Sequence, residues 1–319
     1  MKCDTIYGMN DKNEKKEYPM TFREFIKQFP DEKHCREYLY KLRFPKGFVC
    51  PKCEHSENWK IGEQLYECSN CGRQTSVIAG TIFQDTRKPL MDWFIAIWWV
   101  TTQKSGASAD GLKQVLGLNS DQTAWTWLHK IRRAMANPNR KKLSGTVEVD
   151  EAYVGGESIG KRGRGAENKT VVAVACELDG KKLGRCRMSV IADASAESLH
   201  GFITENIEVG SELITDNWSG LSGIEAKGYT RIIHVQKHTD DEDKMLPHIH
   251  TIVSLLKRWL LGTHQGAVDP KHLQAYLDEY VFRFNRRKSA QRGLLFYRLL
   301  ESAMRTKTIT YKDLSDHNI

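Results

Sequence analysis

Apolar residues recur along this chain in two rhythms, and the change between them divides it. In the front part, Phe22, Phe25, Ile26, Phe29, Tyr38, Leu39 and Leu42 fall mostly three and four apart, which predicts helix over Thr21 to Leu42. Pro89 then marks a helix start ahead of Met91, Trp93, Phe94, Ile97, Trp98 and Val100. A turn at Ser105-Gly106 leads into a short helix from Ser108 to Leu116, and Gly117 ends it. Asn119 or Ser120 can cap a third helix. In that helix Trp125, Leu128 and Ile131 form the expected core face, leaving His129, Lys130, Arg132 and Arg133 to solvent. Three helices with a tight glycine turn before the last have the form of a helix-turn-helix.

From residue 145 the period changes to two. Val147 and Val149 share one face of a predicted strand, and Glu148 and Asp150 share the other. A basic, glycine-containing hairpin (Lys161 to Lys169) leads to a buried strand, Thr170 to Cys176, and then to a third strand, Arg185 to Ile191. A helix around Ala196 to Ile203 follows, then the short apolar strand Glu212 to Thr215, ending at Asp216. After a strand at Arg231 to Val235 comes a long amphipathic helix from about Pro247 to Leu261. This order of elements is that of an RNase H-like α/β domain, the retroviral-integrase-like arrangement. The predicted architecture is therefore multidomain α/β.

Charge sharpens the division. The 319 residues carry a formal charge of +8. Residues 1–145, with 24 basic and 16 acidic side chains, account for all of it; residues 146–319 are neutral overall. Lys130, Arg132, Arg133, Arg140, Lys141 and Lys142 stand in a stretch free of acids, and further basic residues cluster at Lys161, Arg162 and Arg164 and at Arg286 and Arg287. A basic front half points to an anionic partner, and nucleic acid is the leading candidate. The longest apolar stretch, Trp93 to Val100, is far short of a membrane span, and the polar N-terminus lacks the pattern of a signal peptide. A cytoplasmic protein is expected, at the nucleoid when bound to DNA.

The cysteines argue for a metal rather than for disulfides. Cys50 and Cys53 form one CxxC pair and Cys68 and Cys71 a second, fourteen residues on. Two such turns supply a closed tetrahedral zinc site, and the short strands Trp59 to Ile61 and Leu65 to Glu67 between them fit a zinc ribbon. A ribbon of this size needs its ion to fold, so the zinc is structural. Cys3, Cys35, Cys176 and Cys186 lack such spacing and read as ordinary core or surface thiols.

The back half carries a different donor set. Phosphoryl transfer to water or to a 3′-hydroxyl uses two divalent ions, Mg²⁺ or Mn²⁺, which take oxygen ligands. Asp150, in the middle of the first strand, and Asp216, at the end of a neighbouring one, are the two carboxylates expected to hold them. His250 near the start of the long helix is the third candidate, with Lys257 two turns further on the same face and Ser254 between them. Glu148 or Glu151 are alternatives to Asp150, although Glu151 should point to the opposite face. His248 competes with His250.

Six segments carry a family resemblance: CPKCEHSENWK, YECSNCGRQTSVIAGTIFQDTRKPL, GTVEVDEAYVGG, LITDNWSGL, HIHTIVSLLKRWLLGTHQGAV and KHLQAYLDEYVFRFNRRK. They run from Cys50 to Lys288, most of the chain. The chain resembles DDE-type transposases of bacterial insertion sequences, in the ISXO-like group with an N-terminal zinc ribbon. The resemblance implies a transposase that binds the terminal repeats of its element, cuts donor DNA there and joins the freed 3′-hydroxyl to target DNA. It makes Asp150 and Asp216 two members of a catalytic triad and puts His250 where many relatives carry Glu or Asn. It also matches Lys257 to the trailing lysine of the family pattern. A neutral histidine takes Mn²⁺ more readily than Mg²⁺ and adds no negative charge. The run Asn285, Arg286 and Arg287 fits the family's final helix, contacting DNA or packing beside the site.

The resulting expectation has five parts: an N-terminal helical segment (1–45), a zinc ribbon (46–82), and a helix-turn-helix-like DNA-binding region (83–142), then an RNase H-like catalytic domain with a closing helix (143–305) and a tail (306–319). A homo-oligomer is expected because two element ends must be held together. Two rival readings make different demands. A DNA-binding regulator derived from an inactive transposase needs neither aspartate. An RNase H-like nuclease hydrolyses without joining.

Overall fold

The computed structural model describes residues 18–103, 105–136, 140–155, 169–180, 182–234, 246–265 and 268–315. Cys3 and the predicted basic hairpin with Lys161, Arg162 and Arg164 lie outside these residues.

The predicted helix over Thr21 to Leu42 is two helices, α1 (Phe22–Gln28) and α2 (Glu32–Arg43). Between them Pro30 cannot continue the first helix, and Asp31 caps the second by accepting a hydrogen bond from the His34 amide at 3.0 Å. The ribbon follows as an antiparallel sheet of β1 (Asn58–Ile61), β2 (Leu65–Cys68) and β3 (Gln74–Ser76), the third strand not having been anticipated. Next come α3 (Leu90–Thr102), α4 (Ala109–Leu116) and α5 (Asp121–Met135). Gly117 ends α4 in the left-handed conformation at φ 60°, as the tight turn before α5 requires.

The second sheet is built from β4 (Thr146–Gly155), β5 (Lys169–Asp179), β6 (Lys182–Ile191), β7 (Glu212–Thr215) and β8 (Thr230–Ile233), with α6 (Ala196–Asn206) between β6 and β7. Its strand order is β6-β5-β4-β7-β8; β4, β5 and β6 run antiparallel, and β7 and β8 lie parallel to β4. A three-strand meander extended by two parallel strands, with the first strand at the centre, is the RNase H-like arrangement. Alternation along β4 splits the domain into two apolar layers. Val147 and Val149 pack with α6, while Ala152 and Val154 pack under α7 (Pro247–His264) and α8 (Leu273–Asn285).

The predicted closing helix is two helices, α8 and α9 (Arg292–Arg305), followed by the short α10 (Tyr311–Ser315). Only α8 stays with the sheet. Helix α9 crosses back to the front and drives Phe296, Leu299 and Leu300 into the core of α1 to α5. The Phe296 ring lies 5.5 Å from Phe25 and 5.6 Å from Trp98. Gly293 permits the crossing, since a side chain there would collide with the Pro19 carbonyl. The front core thus contains sequence from both ends of the described chain.

Helix α5 corrects the expected solvent face. Trp127 is buried and stacks on Trp93 at 3.8 Å, Trp125 is half-buried, and His129 and Arg132 are buried. Arg132, expected to meet DNA, is 2% exposed. Its Nε donates to Glu279 of α8 at 2.8 Å, and a second nitrogen donates to the Ala107 carbonyl. Arg283 completes the group, bonding Glu279 at 2.7 Å and the carbonyls of Val100 and Gln103. Burial alone would raise the Glu279 carboxyl, but the two guanidinium groups outweigh it and hold the group down at about 2. The periodicity of α5 could not show this, because its partner lies 147 residues further on.

Candidate functional site

The four cysteines converge as their spacing predicts. Their ligand atoms lie within 4.8 Å of one another, with Cys50 and Cys71 Sγ 3.6 Å apart and Cys53 and Cys68 Sγ 3.5 Å apart. A tetrahedron of sulfurs around zinc at about 2.3 Å has edges of about 3.8 Å, so the quartet is close to the required geometry. Burial raises the Cys50 thiol, but the amides of Lys52 and Cys53 and the neighbouring sulfurs outweigh it and bring the group to about 6. The donor set and its dimensions fit a thiolate-bound ion.

The second set of candidate residues comes from β4, β7 and α7. Asp150 is half-buried on the α7 face of β4, and its Oδ1 accepts from the Glu151 amide at 2.8 Å. The parallel ladder pairs Glu148 with Ile214, so two residues on, just past the last pair, Asp150 comes level with Asp216. Adjacent strands lie about 4.8 Å apart. Ile214 packs on the α7 side of the sheet, and strand alternation puts Asp216 on that same side. The two aspartates, distant in sequence, therefore come together on one face.

The backbone around Asp216 is held from three directions. Its Oδ1 accepts from the Trp218 amide at 2.9 Å, and the Trp218 indole donates to the Ala194 carbonyl at 2.8 Å. Arg231 of β8 donates to the Thr215 hydroxyl and to the carbonyls of Asp216 and Trp218, at 2.9, 2.9 and 3.1 Å. Sequence reasoning missed Arg231 because its role depends on the pairing of β7 with β8.

Helix α7 separates the two histidines. Ile249 is buried against the sheet, and at 100° per residue His248 and His250 fall on opposite flanks of it. His248 faces β4. Its Nδ1 lies 2.6 Å from Glu148 Oε1, while Glu148 Oε2 accepts from the amides of His248 and Ile249 at 3.1 and 3.0 Å. The buried Glu148 carboxylate thus sits at the positive end of α7 and anchors the helix to the first strand. His250, Ser254 and Lys257 form the predicted stripe, but on the exposed side of α7. Among the described residues, the cysteine quartet is the only set of three or more His, Cys, Asp or Glu side chains whose ligand atoms lie within 4.8 Å of one another.

The basic candidates divide similarly. Arg133, Lys141 and Lys142 are exposed. Lys130 is half-buried with its ammonium 6.0 Å from the Trp93 ring, and Arg140 is half-buried beside Asn206. Arg286 lies over Phe282 and Arg287 over Phe284, each at 4.0 Å. Both donate to carbonyls at the end of α8. Asn285 instead bonds the main chain of Cys186, accepting from its amide and donating to its carbonyl. The run from Asn285 to Arg287 therefore fastens α8 to the edge of the sheet.

This arrangement, an RNase H-like sheet behind a four-cysteine ribbon, fits a DNA-processing enzyme of the transposase class. Residues 142–285 match the ISXO2-like transposase domain, and residues 30–74 match the transposase zinc-ribbon domain. The two domains together make the chain a transposase. It is 27% identical over 282 residues to an uncharacterized protein in transposable element ISH50 of Halobacterium salinarum, covering 81% of this chain and 92% of that one. Among solved structures, a chain of the simian T-cell lymphotropic virus intasome in complex with PP2A regulatory subunit B56 gamma is similar, with TM-score 0.32 and 12% identity, over 60% of this chain and 71% of that chain. The Mos1 strand transfer complex is similar with TM-score 0.24 and 13% identity, over 64% and 78%. No helix among the described residues is long and apolar enough to cross a membrane.

Proposed function

We propose that this transposase cleaves DNA at the ends of its element and joins the resulting 3′-hydroxyl to target DNA, using divalent ions held by Asp150 and Asp216. The observation that supports this most is the level placement of the two carboxylates on neighbouring strands, on the face covered by α7. Their oxygen donors suit Mg²⁺ or Mn²⁺. When bound, such ions activate the attacking hydroxyl and stabilise charge on the phosphate. Rigidity comes from the chain itself: β4 fixes Asp150, while Arg231 and Trp218 fix the backbone that carries Asp216. His250 supplies the third ligand and Lys257 grips phosphate from the same stripe. His248 is a second reading for the third position, favoured by its contact with Glu148, because a histidine ligand commonly donates its other ring N–H to a carboxylate.

The exposed cations Arg133, Lys141 and Lys142 hold DNA, with Lys161, Arg162 and Arg164 and the flanks of Arg286 and Arg287 as further contacts. The ribbon takes a structural zinc, and two copies pair the element ends. Strand transfer from a labelled repeat end in Mg²⁺ or Mn²⁺ tests the centre. Asp150→Asn and Asp216→Asn are each expected to lower joining roughly a thousandfold while leaving DNA affinity unchanged. Normal joining by either variant sinks the assignment. His248→Ala and His250→Ala, compared in the same assay, decide the third position.

A further inference from the structure

The proposed chemistry uses one stripe of α7, from His250 to Lys257, but another face of the helix, with Leu255, Arg258, Trp259 and Gly262, borders a cleft with a different character. A cavity of about 670 Å³ opens between α3, α7, α8 and the start of α9. That volume falls within the range of about 300–1,000 Å³ usual for small-ligand sites. Trp259, Tyr280 and Phe284 give it an aromatic wall, with Tyr280 5.8 Å from Trp259 and 5.9 Å from Phe284. Arg258, Arg287 and Arg292 also line it, and among the described residues no Asp or Glu does. Arg283, the fourth arginine, pairs with Glu279, whereas among the described residues Arg287 donates to the carbonyls of Gly184, Leu183 and Phe284 and meets no carboxylate.

A planar group fits an aromatic wall, and an anion fits uncompensated guanidinium groups. A nucleotide carries both. Arg258 lies eight residues beyond His250, about 12 Å along the helix, so a strand held at the proposed centre reaches the cleft within a few nucleotides. An apolar segment from a second copy would fill the volume but leave the arginines without counter-charge. We propose that this cleft receives one unpaired nucleotide of the bound DNA strand, its base against the aromatic wall and its phosphate on Arg258 and Arg292. The inference rests on the reading of the protein as a DNA strand-transfer enzyme and adds a site for single-stranded DNA to it.

The test uses the full chain with zinc and no other divalent metal, so that no cleavage occurs. The probes are a duplex ending in a three-nucleotide 3′ tail and the same duplex with abasic tail positions. Wild-type protein is expected to bind the base-bearing tail roughly tenfold more tightly, since stacked bases contribute strongly and with little sequence preference. Arg258→Ala, at an exposed position, should weaken tail binding and lower the salt slope by about 0.7. Leu295→Trp, which fills the cleft, should abolish the preference for the base-bearing tail. Equal affinity of wild-type protein for the two probes overturns the proposal. So does a Leu295→Trp protein that keeps the preference but changes oligomeric state, because the cleft would then hold a second copy. Asp216→Asn keeps the tail preference if the cleft is right, even if the assignment of the catalytic centre fails.

Discussion

The zinc ribbon and the proposed catalytic centre are built in opposite ways. In the ribbon, four soft ligands come from two short turns and already stand within 4.8 Å of one another. In the α/β domain the proposed ligands, two carboxylates and a histidine, come from separate strands and a helix, and the quartet's compactness has no counterpart there among the described residues. A structural ion must be enclosed to hold a fold together, whereas ions that meet a phosphate need open coordination positions. Under the proposed function, the difference in geometry follows from the difference in task.

Zinc removal tests the contrast with the largest effect. Chelation, or Cys68→Ser, should unfold β1 to β3 with a loss on the order of 10 kcal/mol of metal-coupled folding energy. The sheet of β4 to β8 should keep its hydrogen-exchange protection. If the sheet unfolds with the ribbon, the two regions are not independent centres.

The seam between the halves comes next. Arg132→Met leaves Glu279 buried with Arg283 as its remaining partner, and urea unfolding should show a loss of roughly 3 kcal/mol. Arg133→Ala, one residue away and exposed, should leave stability within about 0.5 kcal/mol. It should lower the slope of log affinity for duplex DNA against log salt by about 0.9. Equal stability losses would mean that the two arginines do the same work.

A pH titration probes the same seam more gently. Burial, with Arg132 close by, pushes His129 down to about 3; burial pushes His264 down to about 4. His272 is lowered too, and its ring is 5.0 Å from His129. The unfolded chain therefore binds more protons than the folded one as pH falls below about 6.5, and stability declines towards pH 4. His129 alone contributes about 1.4 kcal/mol per pH unit in that window. Glu279 acts in the same direction only below about 4.5, because its folded value is depressed. His129→Phe should flatten the decline between pH 6 and 4; an unchanged slope would show that His129 does not contribute to it.

Much of this molecule is decided by neighbours in sequence. CxxC spacing brings sulfurs together through a turn, alternation over Val147 to Asp150 assigns faces within one strand, and Gly117 and Pro89 punctuate helices by their own backbone limits. Those features depend on a few bonds of chain, so the sequence alone determined them, including the ribbon and the order of elements in the α/β domain. The tertiary structure decided what depends on partners far along the chain. It turned Arg132 inward to Glu279, carried α9 back to the front core, tied His248 to Glu148 across 100 residues and left His250 on the outer side of α7. A helical period shows that a face is apolar, but not which element covers it. A basic residue beside that face becomes a DNA contact or a buried ion pair according to a neighbour that only the folded chain supplies.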